Sequence, residues 1–238
     1  MTHGTTSHDT NHDTNGSGTM RIGILGTGAM AAALGGAWVR AGHSVMVGGR
    51  DAAAAAGMAD RIGAAGHGGL VEAARYGEAV LVAVPADVAP KLVEDLGPDL
   101  AGRTLLDCTV PMAPGADGPG LTTAGGTDSV AERLAAAAPE AHVAKVFGIC
   151  HESIWTLPRP AFEGAPLAVP FCADAPSTAA LVAELVTSMG CDPMACGGLE
   201  RAALLEAAAV FAIGVWWSGG EARHAFPAPA LAPGAVDD

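Results

Sequence analysis

The sequence predicts an α/β fold: a Rossmann-type doubly wound parallel sheet with a small C-terminal α/β extension and disordered tails. Three observations carry that expectation. A short apolar run, residues 22–25, leads straight into Gly26-Thr27-Gly28 and then into an Ala-rich segment, 29–41, of helical composition. A second apolar run, 79–84, is continuous rather than alternating, the pattern of a parallel strand covered on both faces. Further strand-like and helix-like segments follow one another to about residue 217.

The first of these is a strand, a glycine turn and a helix, the opening half of a dinucleotide-binding βαβ unit. Gly26 permits the tight turn, and Gly28 lets the backbone approach a pyrophosphate. Ala31 stands where a third glycine is usual and is still small enough for close helix–strand packing. The N-terminus of the following helix offers free N–H groups and the positive end of its dipole to the phosphates.

Gly42-His43 makes the next turn, and residues 44–47 form the second strand, which ends in Gly48-Gly49-Arg50-Asp51. An NAD site places a carboxylate at this strand tip to hold the ribose 2′-hydroxyl. Here the tip carries glycines and then Arg50, whose guanidinium suits a 2′-phosphate. NADP is therefore the expected cofactor. Asp51 opens an Ala run and is better placed as a helix N-cap. Residues 70–76 read as a helix, 79–84 as the buried strand ended by Pro85, 87–96 as a helix and 103–107 as a strand. A loop rich in Pro and Gly spans 110–126. Residues 128–138 are helical, 142–147 a strand, 166–172 a strand, 176–189 a helix and 192–196 a short strand. Residues 199–217 form a closing helix, almost wholly apolar, which is expected to be buried in a core or a subunit interface.

Composition narrows the functional classes. The 238 residues carry a formal charge of −13, with Lys91 and Lys145 the only lysines, which argues against nucleic acid or an anionic membrane as partner. The apolar run 210–217 is too short to span a bilayer. No secretory signal is visible, and the five cysteines are odd in number and irregularly spaced. They read as free thiols of a cytoplasmic protein. The polar residues 1–19, with His3, His8 and His12, are expected to be disordered and to hold no metal, as is the Ala- and Pro-rich tail 225–238.

Candidates for acid–base or nucleophilic chemistry are few. Lys145 lies on an apolar strand and is expected to reach solvent from its end. Asp107, at another strand end, could reach a cleft or cap a loop. Cys150 and His151 are adjacent on an extended chain and point to opposite faces, so they make a poor thiolate pair. Tyr76, the only tyrosine, reads as a packing residue. No catalytic residue and no metal ligand is assigned.

Four stretches, Gly26-Thr27-Gly28-Ala29-Met30, Gly48-Gly49-Arg50, Val84-Pro85 and Val110-Pro111, stand in a familiar order and spacing. So do 169–176 and 197–206. Over residues 20–220 the chain resembles the NADPH-dependent reductases of the deazaflavin coenzyme F420 and the F420-dependent NADP oxidoreductase superfamily. That resemblance implies NADP and deazaflavin in a cleft between a Rossmann domain and a small C-terminal portion. Gly26, Thr27, Gly28, Ala29 and Met30 would cradle the pyrophosphate. Gly49 and Arg50 would face the 2′-phosphate, with Gly49 in place of the family's usual Ser or Thr. Ala83, Val84 and Pro85 would line the ribose–nicotinamide side, and Val110 and Pro111 would border the deazaflavin. The segment 147–151 departs from the polar sequence usual near the nicotinamide.

The expected organisation is a tail over 1–19, an NADP-binding domain over 20–148, a substrate and dimerisation portion over 149–224, and a second tail over 225–238. The leading expectation is hydride transfer between NADP(H) and coenzyme F420, a reaction that rests on proximity and alignment. The alternatives are an NADPH-dependent reductase of a small carbonyl or imine, and an NADP-binding protein without turnover. A homodimer built around the closing helices is expected, with no nucleic-acid or membrane partner.

Overall fold

The computed structural model describes residues 18–123 and 128–222; the expected tails 1–19 and 225–238 fall almost entirely outside them. The chain begins with β1 (Arg21–Leu25), α1 (Ala29–Arg40), β2 (Ser44–Gly48), α2 (Ala52–Ile62), β3 (Gly66–Gly68), α3 (Leu70–Tyr76) and β4 (Ala79–Val82). It continues with α4 (Ala89–Asp95), α5 (Gly97–Leu100), β5 (Thr104–Asp107), β6 (Met112–Gly115), β7 (Gly118–Leu121), α6 (Val130–Ala137) and β8 (His142–Val146). The last third holds β9 (Ala161–Phe162), β10 (Ala165–Pro166), β11 (Ala168–Ala173), α7 (Pro176–Ser188), β12 (Asp192–Ala195) and α8 (Ala202–Trp217).

Eight strands form one sheet in the order β12-β11-β8-β5-β4-β1-β2-β3. β1 lies between β2 and β4, parallel to both, so the order reverses beside it. This is the doubly wound arrangement the sequence predicts, with a ligand crevice expected where the strand order switches. β11 enters antiparallel to β8, and β12 pairs parallel to β11. The C-terminal strands thus extend the same sheet.

Side chains alternate across the sheet, which separates the core into two layers. Ile22, Ile24, Ala79, Leu81 and Leu106 pack on one face with Leu34 and Trp38 of α1 and Val182 and Leu185 of α7. Leu25, Val80, Val82 and Leu105 pack on the other with α3, α4 and α6. Gly23 takes no side chain because α3 crosses directly over it; a Cβ there would lie 2.9 Å from the carbonyl carbon of Ala73. Asp51 caps α2, its Oδ1 accepting from the N–H groups of Ala53 (2.9 Å) and Ala54 (3.1 Å), as its position predicts. Ser129 and Glu132 form a reciprocal capping box at the start of α6.

Several expectations change. The loop over 110–126 is not structureless: β6 and β7 form a hairpin, with Met112 opposite Leu121, although 124–127 lie outside the described residues. The strand expected over 166–172 is divided between β10 and β11, with a β9–β10 hairpin before it. The short strand β3 was not anticipated, because Gly66-His67-Gly68 has no apolar signature. The closing helix starts with a 3-10 turn over Leu199–Arg201 and is not fully buried in the chain. Leu204 is 58% exposed, Phe211 52% and Trp217 60%. Apolar composition all round gives no direction to a helix, and the sheet covers only the side that meets it.

Replacing Gly23 with alanine forces a methyl group onto the α3 backbone, which cannot retreat as a flexible side chain could. The expected outcome is a loss of stability of at least roughly 1–3 kcal/mol, read from the urea unfolding midpoint.

Candidate functional site

Two clefts lie along the carboxyl ends of the central strands. The first, of about 600 Å³, is lined by the turns after β1, β2 and β4: Gly26, Thr27 and Gly28, then Gly49, Arg50 and Asp51, then Ala83, Val84 and Pro85, with Leu70, Val88 and Leu92 completing an apolar wall. It sits at the strand-order switch beside β1. The turns are tied to one another through the backbone. Gly26 N–H donates to Gly48 O at 2.9 Å, and Ala83 N–H donates to Leu25 O at 3.0 Å.

The glycines have separate reasons. Gly26 has φ +127°, and any Cβ would strike the Ala83 carbonyl, so the backbone itself requires glycine. Gly28 has an ordinary extended conformation (φ −80°, ψ −179°), and a Cβ there would meet nothing within 4 Å. Its missing side chain leaves open space over the N-terminus of α1. No side chain caps that terminus and no acidic residue stands in its first turn, so its N–H groups and positive dipole end are available to an anion. Gly49 is a packing requirement, since a Cβ would come within 2.9 Å of the Thr27 methyl. That methyl occupies the room a Ser or Thr at 49 would need, which accounts for the glycine found there.

Arg50 is exposed at the tip of β2 on the rim of this cleft. Its neighbour Asp51 turns its carboxylate onto the α2 N-terminus. The residues present therefore fit a dinucleotide phosphate group: an open glycine, an uncapped helix start and one guanidinium.

The second cleft, of about 650 Å³, is lined by Met30, Val110 and Met112, by Gly148 to Glu152, and by Ile213, Trp216 and Trp217 of α8. Gly28 and Met30 line one cleft each, so the two approach one another across the first turn of α1. Ten of the sequence-predicted site residues line the two clefts. The other two do not: Ala29 is exposed beside them and Pro111 is buried behind the β6–β7 hairpin.

The chain reaches the second cleft through an unusual turn. Phe147 has φ +67°, a left-handed conformation that costs a non-glycine residue about 1–2 kcal/mol. It is held by edge-on contacts with Trp38 (5.7 Å between ring centres) and Trp155 (5.3 Å), both fully buried. The turn directs Gly148–Glu152 along the cleft wall. There, His151 Nε2 lies 3.2 Å from Glu152 Oε2, and its Nδ1 accepts from Ser153 N–H at 3.3 Å. Cys150 is no nucleophile, because burial, aided by Cys191, pushes its thiol up to about 11.

Lys145 does not reach solvent, contrary to expectation. Its side chain is 3% exposed, and Nζ lies 2.9 Å from Asp107 Oδ2, 2.9 Å from Glu206 Oε1 and 2.7 Å from Thr109 O. A lone polar residue on an apolar strand gave no hint of two carboxylates arriving from β5 and α8. Asp107 also caps the following loop by accepting from Thr109 N–H at 2.9 Å. Tyr76 shares a 2.5 Å hydrogen bond with Ser44 Oγ. Leu70, Val88 and Leu92 were missed; their signal is position, since Leu70 starts α3 and Val88 and Leu92 lie within a turn of the start of α4, which follows β4. Trp216 and Trp217, assigned to an interface by composition, also wall the second cleft. Among the described residues no cluster of His, Cys, Asp and Glu could hold a metal, and no helix is long and apolar enough to cross a membrane.

Residues 21–111 match the family model of the coenzyme F420-dependent NADP oxidoreductases. This segment is similar to the NADP-binding domain of those oxidoreductases. The matched span runs from β1 through the β5 loop and so includes every turn of the first cleft. No curated protein matches the chain. Among solved structures, the chain is similar to a protein from Arthrobacter sp. FB24 assigned as an F420-dependent NADP-reductase. The two are 25% identical over 85% of this chain and 96% of that one, with a TM-score of 0.75. A hypothetical protein of Sinorhizobium meliloti is 24% identical over 77% and 87% of the two chains, with a TM-score of 0.66. A reductive aminase from Aspergillus terreus, solved with NADPH, is 20% identical over 85% of this chain and 64% of its own, with a TM-score of 0.62. These last two show the fold.

Because a Cβ at 28 meets no heavy atom within 4 Å, Gly28→Val is expected to leave the thermal unfolding curve nearly unchanged. It should abolish NADPH binding by filling the space over the α1 N-terminus. Fluorescence titration with NADPH, alongside a circular-dichroism melt, checks both halves.

Proposed function

We propose that the protein transfers hydride between NADP(H), held over the glycine turn and Arg50, and the deazaflavin coenzyme F420, seated in the second cleft. The observation that carries this reading is the meeting of a phosphate-binding cleft and an apolar cleft across one turn of α1. The family match supports both the NADP-linked chemistry and the choice of acceptor. Bound NADPH supplies the hydride. The protein's part is to bind, orient and exclude water. The α1 N-terminus and Arg50 fix the phosphates, while Met30, Val110, Met112, Trp216 and Trp217 present an apolar surface suited to a flat ring system. Five free cysteines support a reducing, cytoplasmic setting.

A second reading has one specific observation in its favour. His151, oriented by Glu152 and Ser153, faces the same cleft and could hold a proton for a carbonyl or imine acceptor. Oxidised F420, and separately a panel of small ketones and cyclic imines, should be mixed with NADPH and followed by absorbance. Consumption of F420 equal to that of NADPH is the expected result. Turnover with the panel alone would select the second reading, and NADPH binding without turnover would leave a nucleotide-binding protein.

Arg50→Ala is expected to weaken NADPH binding by roughly 1–3 kcal/mol, the range for a hydrogen bond to a charged group, and to leave NADH binding nearly unchanged. Equal losses for the two nucleotides, measured by titration, would show that Arg50 does not read the 2′-phosphate.

The exposed side of α8 is assigned to a second copy of the chain. Leu204 and Phe211, seven residues apart on one face of α8, are more than half exposed, so a two-fold contact there would cover them. Light scattering at micromolar concentration should give twice the 23.5 kDa chain mass, and a 23.5 kDa particle would sink the dimer.

A further inference from the structure

Behind the wall of the second cleft, three ionisable side chains are sealed from water: Asp107 at the end of β5, Lys145 on β8 and Glu206 on α8. The ammonium of Lys145 is fully used, on Asp107, Glu206 and the Thr109 carbonyl. Glu206 Oε1 also accepts from the Val130 N–H at the start of α6, at 2.9 Å. Its Oε2 is buried without a hydrogen-bond partner. A void of about 10 Å³, the size of one water molecule, lies between this group and Gly148 and Ile149 of the cleft wall.

Each bond in the group ends on a segment that lines the second cleft or supports one. Lys145 holds Thr109, next to Val110. β8 leads directly into 147–152. Glu206 fixes α8, which carries Ile213, Trp216 and Trp217 two to three turns further on. We propose that Glu206, through Lys145 and Asp107, is a positioning residue that sets the spacing of the second cleft, and that it does so as a neutral carboxyl. Two carboxylates and one ammonium would leave a net negative charge in a dry site, which is strongly unfavourable. One proton on Glu206 balances the group.

The charges that act on Glu206 are those of Lys145 and Asp107, with the Val130 N–H beside them; Cys108, next to Asp107, stays a neutral thiol. Burial raises Glu206's hold on its proton, Lys145 opposes this and Asp107 adds to it. A carboxyl raised in the folded state contributes its full stabilisation below its unfolded value and loses it as pH rises through the folded one. The cleft is therefore held while Glu206 keeps its proton and loosens as pH rises through its raised folded-state value.

The test compares Glu206→Gln, which keeps an acceptor for Lys145 and Val130 and carries no charge, with Glu206→Leu, which keeps neither. Hydrogen exchange of the amides in 148–152 and 206–217 is measured against those of β1 as a function of pH. The glutamine variant should stay within about twofold of wild type at the acid end of the range and show no loosening as pH rises, whereas the leucine variant should exchange about tenfold faster in those segments alone. With F420 as acceptor, the leucine variant should raise its KM about tenfold and leave NADPH affinity within about twofold. This second arm rests on the function proposed above. If wild type does not reduce F420, that reading fails and the exchange arm alone decides. Should the leucine variant not fold, Glu206→Asp, one methylene shorter, takes its place. Uniform acceleration over the whole chain, no local change in the leucine variant, or a glutamine variant as loose as the leucine one would each overturn the proposal.

Discussion

The close approach of backbone to β1 is the constraint on which the rest of the structure depends. This strand is flanked by two parallel neighbours, and there is no room for a side chain at one place within it and one in the turn that follows, where other segments cross. At Gly23 the α3 backbone lies against it, and at Gly26 the carbonyl of Ala83 does. These contacts bring the turns after β1 and β4 together, and the bond from Gly26 to Gly48 adds the turn after β2. The first cleft is thus a by-product of packing, and its floor is main chain. A cleft floored by main chain offers N–H groups at fixed positions without the entropy loss of ordering side chains.

The second cleft is built on a different principle. Its walls come from four segments that are far apart in sequence, and main-chain pairing does not set their spacing. Two devices do so instead. The left-handed Phe147, clamped between Trp38 and Trp155, sends the chain along one wall. The buried Lys145 group ties that wall to the β5 loop and to α8. A site that takes a ring system by apolar contact depends on such spacing more than on any one hydrogen bond.

This difference explains what the sequence could and could not disclose. Residues 22–31 announce strand, turn and helix within ten positions, and Asp51 announces its cap, because each signal is local and tied to backbone geometry. The first cleft was therefore legible, apart from Leu70, Val88 and Leu92, whose role is only proximity. Lys145 and Glu206 are separated by sixty-one positions and meet through the crossing of a strand and a helix, which no periodicity encodes. Glu206 closes the stretch 197–206 that carries the resemblance, but nothing local in an Ala-rich helix marks a single acid as buried, and it is 1% exposed. The β6–β7 hairpin was read as loop for a related reason. Met-Ala-Pro-Gly and Gly-Pro-Gly-Leu lack strand propensity, and their pairing is sustained by packing of β7 against α8.

A chain of charge −13 must also admit a nucleotide that is itself polyanionic. The resolution is local. Several surface acids are paired with bases, as in Lys91 with Glu94 and Asp95, Arg75 with Asp99, and Arg21 with Glu78. Such exposed pairs contribute little to stability, but they remove single-sign fields from the faces that carry them. At the cleft, the one carboxylate on the rim, Asp51, is turned onto the α2 N-terminus, where helix N–H groups neutralise much of its field. Arg50 and the uncapped start of α1 then dominate within a Debye length of the phosphates, about 10 Å at 0.1 M salt. The net charge of the molecule opposes the nucleotide at long range, while the site attracts it at contact. Affinity so arranged is decided by a few oriented groups, which is why a single arginine and a single absent side chain carry the reading of this site.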